Sequence, residues 1–422
     1  MEWALTILAL ALVGVAAVSK RLEGSPITPA ILFVSIGILV GPKVLDGVDI
    51  SSTSSAVRAL AEAALALVLF ADASRIDFAR LRREISVPVR LLGIGLPLTI
   101  VLGALAAGVI LDQLTFWEAV IVGVILAPTD AALGQAVVTQ PRVPGRIRQG
   151  LNVESGLNDG ICVPLLFAAV AAADIESHIS GGRSGSELLF EEIGYGIVGG
   201  TVAGLVIASV VIHAGRRDLI ADAWRPVIPA AGAALAYGAA VALHGSGFIA
   251  AFVAGLIFRV LIKRDPAGMN RLTEEVGSVL SGVTFILFGA ILLGPALGEL
   301  SWELALYMVL SLTVLRMAPV AIAMLGSHAR AATVGFLGWF GPRGLASLVF
   351  ALIVIEESRL PHEDLIVLVV YLTVGLSVFA HGLSAAPLAD RYARWFERHP
   401  RPEAAPMESV RAEVTRTRRV LD

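Results

Sequence analysis

The sequence predicts an all-α polytopic membrane protein of about thirteen transmembrane helices. Three observations predict it. The 422 residues are 56% hydrophobic and only 16% charged, with a mean hydropathy of +0.81, whereas soluble domains carry about 25% charged residues. The apolar residues fall into runs near the length that crosses a bilayer, roughly 17–25 residues. The loops between the runs alternate in charge. An ordinary soluble protein is excluded. The lipid bilayer is the first expected partner, and no nucleic-acid partner is expected.

The runs, in order, cover residues 3–18, 27–40, 57–71, 87–111, 116–138, 151–173, 193–212, 227–243, 248–262, 276–293, 304–325, 331–355 and 365–386. The first has no basic residues before it and ends in Ser19-Lys20-Arg21, the reverse of a secretory signal, so it reads as a retained helix. The third ends at Asp72. The fifth is interrupted by Pro128-Thr129-Asp130, and the twelfth by Phe340-Gly341-Pro342-Arg343-Gly344. Proline removes a backbone donor and kinks a helix, and glycine weakens it. Breaks at the fifth and twelfth runs suit two inverted six-helix repeats, with crossing discontinuous helices and the seventh run as connector. Paired interruptions of this kind point to a transport site near the midplane. The seventh run carries Gly196, Gly200 and Gly204, a stripe that predicts close helix contact, within the chain or at a dimer face.

Loop charge sets the orientation. Loops after odd runs are basic: Lys20 and Arg21; Arg75, Arg80, Arg82 and Arg83; Arg142, Arg146 and Arg148; Arg216 and Arg217; Lys263, Arg264 and Arg271; Arg330. Loops after even runs lean acidic, as at Asp46 and Asp49, Asp112, Asp174 and Glu176, Glu299 and Glu303, and Glu356 to Asp364. The positive-inside rule then places the N-terminus outside and the C-terminus in the cytoplasm of a cell membrane. Residues 1–390 read as one membrane domain, with transport helices that include 116–173 and 304–388. Residues 391–422 read as a short, charged, solvated cytoplasmic tail. Cys162 is the only cysteine, so no internal disulfide can form. The seven histidines show no metal-ligand spacing, and no cofactor is expected.

The chemistry sits in the fifth and sixth runs. An acidic group at mid-membrane depth costs roughly 2.5–3.5 kcal/mol on insertion and usually lines an ion or proton pathway. Asp130 stands beside the break of the fifth run. On the sixth, Glu154 and Asn158 are i,i+4, and so are Ser155 and Asp159, which puts two carboxylates, an amide and a hydroxyl on adjoining ridges. Carboxylates, hydroxyls and carbonyls freed by an unwound helix are the ligands of hard cations. Arg316 lies inside the eleventh run and Arg343 at the break of the twelfth. A buried arginine stays charged and needs a carboxylate or a cluster of carbonyls. Glu154 is the natural partner of Arg316, which leaves Asp130 and Asp159 as the exchangeable carboxylates. Arg343 either offsets two facing helix ends or serves the fold alone. Asp72 reads either as a helix end at headgroup level or as a member of this charge network.

Pro128-Thr129-Asp130, Glu154-Ser-Gly-Leu-Asn-Asp159, Arg316 and Gly341-Pro-Arg-Gly344 together resemble the NhaP/NHE-type monovalent cation:proton antiporters, as do Thr28-Pro29 and Asp72. The resemblance covers nearly the whole membrane part. It implies a thirteen-helix fold, a homodimer, and elevator-like movement of a core domain against a dimerisation domain. It implies that Asp159 binds Na⁺ or H⁺, that Asp130 supports it, that Thr129 and Ser155 add oxygen ligands, and that Glu154 pairs with Arg316. Asn158 ahead of Asp159 resembles the electroneutral exchangers, which implies 1:1 exchange of Na⁺, or Li⁺, for H⁺. Some prokaryotic relatives carry Glu where this chain has Asp72. The other readings are a K⁺/H⁺ antiporter of the same fold, a cation channel, a binding-only sensor and an intramembrane aspartyl protease. The channel lacks a repeated filter loop. The protease needs Gly-x-Gly-Asp, where this chain has Leu157-Asn158 before Asp159.

Overall fold

A computed structural model describes residues 2–22, 24–42, 55–76, 86–130, 132–177, 185–262, 266–357, 360–399 and 408. The loop charges Asp46, Asp49, Arg80, Arg82, Arg83, Lys263 and Arg264 lie outside the described residues, as do tail residues 400–407 and 409–422.

Among the described residues the chain is helical, with no strand. The first helices are α1 (Glu2–Leu22), α2 (Pro29–Val40) and α3 (Ser55–Arg75). The next span is α4 (Ser86–Arg90), a π-helical stretch at Leu91–Gly95 and α5 (Leu96–Ile110). The fifth run is two pieces, α6 (Phe116–Ile125) and α7 (Gln135–Thr139). Then follow α8 (Gly145–Ser177), α9 (Gly185–Arg216), α10 (Val227–Ala242) and α11 (Gly247–Leu261). Next is α12 (Pro266–Leu287), which passes into a π stretch at Phe288–Leu293. The eleventh run is α13 (Trp302–Leu312) and α14 (Val314–Ala323). The twelfth is again split, into α15 (Ala331–Trp339) and α16 (Leu345–Glu357), and α17 (Glu363–Arg398) closes the chain.

Seven helices among the described residues are long and apolar enough to cross a membrane, and four more are apolar but shorter. This is compatible with about thirteen crossings, because these eleven match eleven of the runs and α3 and α10 cover the third and eighth. Sequence explains the irregularities. Each π stretch is followed by a proline, Pro97 or Pro295, that supplies no N–H to the turn before it. Thr115 and Glu118 form a capping box at the start of α6. Glu118 also accepts the His362 N–H at 2.9 Å and lies 2.9 Å from His362 Nδ1, tying that start to the start of α17.

A large central core joins α2, α3, α5, α6, α8, α11, α12, α13, α16 and α17, through residues such as Leu65, Ile121, Val163, Phe350 and Val374, and two smaller bundles flank it. Phe70, Ala203, Ala236, Ala254 and Phe258 join α3 and α9–α11. Leu91, Val320, Phe336 and Ala389 join the π stretch after α4 to α14, α15 and α17. The glycine stripe of α9 is used inside the first bundle. A β-carbon on Gly200 would stand 2.5 Å from the Ala250 carbonyl oxygen, and one on Gly204 would stand 2.8 Å from Ile257 Cβ. The stripe therefore lets α9 close on α11, and it is not held open for a second protomer. Beyond residue 390, α17 continues to Arg398. Arg330, which caps α15, lies 4.3 Å from the Trp395 ring and pairs with buried Glu408 at 2.8 Å. The described part of the predicted tail is thus helical or docked.

Gly200→Val should cost about 1–3 kcal/mol through overpacking. It should lower the melting temperature in detergent without changing the oligomeric mass. A changed mass with unaltered melting would place the stripe at a subunit interface.

Candidate functional site

The site begins with two stretches where helix fails. Pro128 has no N–H and disfavours helical geometry at Ala127, so α6 stops at Ile125. Pro342 does the same after α15, and residues 340–344 are non-helical. The two stretches cross: Asp130 N–H donates to the Pro342 carbonyl at 2.7 Å. Each then caps the other. The Leu345 N–H, at the first turn of α16, donates to Asp130 Oδ2 at 3.2 Å, and the Ala132 N–H donates to Oδ1 at 2.8 Å. Ser347 hydroxyl donates to the Ile125 carbonyl, the last of α6, at 2.7 Å. A carboxylate at a helix N-terminus also meets the positive end of the helix dipole. Gly344 makes this possible, since a β-carbon there would overlap the Asp130 carboxylate.

Helix α8 satisfies the rest of the first stretch. Ser155 hydroxyl donates to the Thr129 carbonyl at 2.5 Å, and Asn158 Nδ2 donates to Thr129 Oγ1 at 2.7 Å. The structure thus brings Thr129, Asp130, Ser155 and Asn158 together. The remaining Asn158 Oδ1 and Asp159 Oδ1 are buried with no hydrogen-bond partner among the described residues.

The arginines lie behind this layer, both fully buried. Arg316 Nη2 donates to Glu154 Oε2 at 2.9 Å, and Nη1 lies 2.6 Å from Oε1, a close electrostatic contact without hydrogen-bond geometry. Arg343 takes carbonyls: its guanidinium donates to Gly341 O and, at 3.4 Å, to Ser311 O. Its own N–H donates to Ser377 Oγ at 2.7 Å. It belongs to the break of the twelfth run and holds the C-terminal ends of α15 and α13.

On the other face of α8 is a cavity of about 440 Å³, at the seam between α3 and α12 on one side and α8 and α16 on the other. Asp72, Asp130, Ser155 and Asp159 all line it. Asp72 is therefore a cavity residue. Its Cβ lies so close to Gly156 that a β-carbon there would stand 3.1 Å away. The carboxylates share this space without closing on one point: among the described residues, no three acidic, imidazole or thiol groups converge tightly enough to hold a resident metal ion. The donors on offer are oxygens, which suits weakly held hard cations and protons.

Sequence reading missed five contributors. Ser347 offers no signal apart from its position one turn into α16. Glu274, Ser278, Ser281 and Phe285 of α12 also line the cavity. Their spacing of four, three and four along α12 is a legible one-face pattern.

Comparison with known proteins adds three findings. A family model described as sodium/hydrogen exchanger, transmembrane, matches residues 7–391. The K(+)/H(+) antiporter NhaP of Alkalimonas amylolytica is 26% identical over 410 residues, covering 96% of this chain and 68% of that protein. NhaP2 of Shewanella sp. (strain MR-4), also a K(+)/H(+) antiporter, is 25% identical, with 88% and 63% covered. The chain thus spans about two thirds of the length of these relatives. The sodium proton antiporter MjNhaP1 from Methanocaldococcus jannaschii, solved at pH 8, superposes with a TM-score of 0.72 at 21% identity, covering 90% of this chain and 99% of that one.

Truncating either member of a buried ion pair strands the other charge, at a cost of about 3–5 kcal/mol. Glu154→Gln and Arg316→Ala should each lower the detergent melting temperature, and the double variant should fall by less than the sum. Strict additivity would mean that the two groups do not depend on each other.

Proposed function

The chain belongs to the transmembrane sodium/hydrogen exchanger family, and we propose that it exchanges a monovalent cation, Na⁺ or Li⁺, for H⁺ by alternating access. The observation that carries the reading is Asp159. It is a buried carboxylate with an unpartnered oxygen, in a cavity shared with Asp130 and Asp72. A bare carboxylate in a low-dielectric interior is penalised, and either a proton or a cation relieves the penalty. The two ligands therefore compete for one group. The loaded site moves readily and the empty, charged site does not, which couples the fluxes.

In this proposal Asp130 supports the cation from the break, with its backbone held by Pro342 and its carboxylate by Leu345. Ser155 and Thr129 shape the oxygen shell. Asn158 locks Thr129 in place, and Asp72 faces the same space from α3. Glu154, Arg316 and Arg343 form the fixed frame behind them. The basic loops after odd runs support a cavity mouth, near Arg75 and Glu274, that opens to the cytoplasm, with the N-terminus outside. A homodimer in the cell membrane, with the split-helix bundle as the moving part, completes the reading. The C-terminal tail from residue 391 lies in the cytoplasm.

A second reading, exchange of K⁺ for H⁺, draws on the relatives from Alkalimonas and Shewanella, both named as K(+)/H(+) antiporters. Proteoliposomes with an imposed pH gradient, supplied with Na⁺, Li⁺ or K⁺, separate the two.

Asp159→Asn should abolish cation-driven proton movement in proteoliposomes while melting and oligomeric mass stay near wild type. Substantial exchange by this folded variant would remove Asp159 from the cycle. Because Asn158 puts an amide where a second acid would stand next to Asp159, exchange should be 1:1. Clamping the potential with valinomycin and K⁺ should leave the Na⁺-driven rate unchanged. A rate that follows the imposed potential would mean that Asp130 titrates as well.

A further inference from the structure

The cavity that holds Asp72, Asp130 and Asp159 contains one cationic side chain among its described lining residues, Arg75. It stands on the last turn of α3, one turn after Asp72. Two carboxylates claim it. Its Nη2 is in tight contact with Glu274 of α12, and its Nη1 is 3.8 Å from Asp72 Oδ1. All three groups are partly open to solvent, with side-chain exposures of 45% for Arg75, 31% for Asp72 and 29% for Glu274. This is the wet end of the cavity, unlike the sealed Glu154–Arg316 pair, at 1% each.

A guanidinium here resembles the cargo in charge. It is a tethered cation whose stem can carry it toward Asp72 and whose field opposes entry of a free cation. Glu274 works against both effects: it holds the guanidinium on the α12 side and cancels its charge. Fixed at α12 and reaching to Arg75 of α3, Glu274 also ties together the two helices on one side of the cavity.

We propose that Arg75 and Glu274 form an affinity-setting pair, in which Arg75 is a built-in competitor for the cation site and Glu274 restrains it. The proposal rests on the antiporter reading given above. Both are positioning residues: neither needs to touch the transported ion, and they act through the potential at Asp72 and its neighbours.

The consequence is a pair of opposite signs. Glu274→Gln frees an uncompensated charge at the mouth and should raise the half-saturating Na⁺ or Li⁺ concentration about three- to tenfold. Arg75→Gln removes that charge and should lower it by a similar factor. Glu274→Gln combined with Arg75→Gln should return it close to wild type. Added choline chloride should shrink both single-variant shifts, because the groups are solvent-exposed and screened. A clasp that merely holds α3 to α12 would move both single variants in the same direction.

The test is cation-concentration dependence of exchange in proteoliposomes, with Na⁺ and Li⁺ as probes, for wild type, both singles and the double. Glu274→Asp and Arg75→Lys, which keep the charges, serve as folding controls and should stay near wild type. Opposite shifts that cancel in the double are expected. Equal-sign shifts, or no shift in either single, overturn the pair's role. Wild-type protein that exchanges none of Na⁺, Li⁺ or K⁺ overturns the antiporter reading itself, and this inference falls with it.

Discussion

A helix that stops inside a bilayer leaves backbone donors and acceptors with no water to take them, and each unsatisfied group costs several kcal/mol. Here the α6 and α15 spans both stop, and the site is built from the ways their free groups are satisfied. Pro342 O accepts the Asp130 N–H, Leu345 N–H reaches the Asp130 carboxylate, and Ser347 closes the end of α6 at Ile125 O. Ser155 takes Thr129 O. The chain's polar residues in this region are therefore not scattered decoration. Most are committed to holding two broken helices against each other, and those commitments fix where the few uncommitted oxygens point.

The charges divide along the same line. Arg316 and Glu154 neutralise each other behind the crossing, and Arg343 is spread over carbonyls of Gly341 and Ser311. Their charges are spent on the frame. Asp159 Oδ1 is left without such a partner, on the cavity side of α8. The frame's ion pair is neutral within itself, while Asp159 keeps a buried oxygen without a partner, which in the proposed cycle is where a mobile proton or cation acts. The cavity mouth repeats the theme in wetter surroundings, with Arg75 shared unequally between Glu274 and Asp72.

Much of this was legible in the residues. Pro128 and Pro342 marked both breaks, because proline's missing N–H acts locally. The i,i+4 spacings of α8 put Glu154 and Asn158 on one ridge, and Ser155 and Asp159 on the next. Arg316 demanded a carboxylate, and Glu154 was its natural partner. Other features depended on tertiary geometry that no local pattern encodes. That Asp130 would cap α16, and that Ser347 would return the favour to α6, follows only once the two breaks cross. The Gly196–Gly200–Gly204 stripe announced close packing and not its partner, since a helix surface of small residues fits α11 of the same chain as well as another protomer. Asp72 sat at a helix end, where sequence alone could not separate a headgroup position from a cavity wall.

Proton release on cation binding tests the central claim most directly, because competition for one carboxylate requires it. The purified wild-type protein in weakly buffered detergent, with a pH indicator and at a pH low enough for the empty site to hold its proton, should release about one proton per protomer when Na⁺ or Li⁺ saturates it, given that the site is loaded by one ion at a time. Cation binding measured by calorimetry under the same conditions, with no accompanying proton release, would contradict the account.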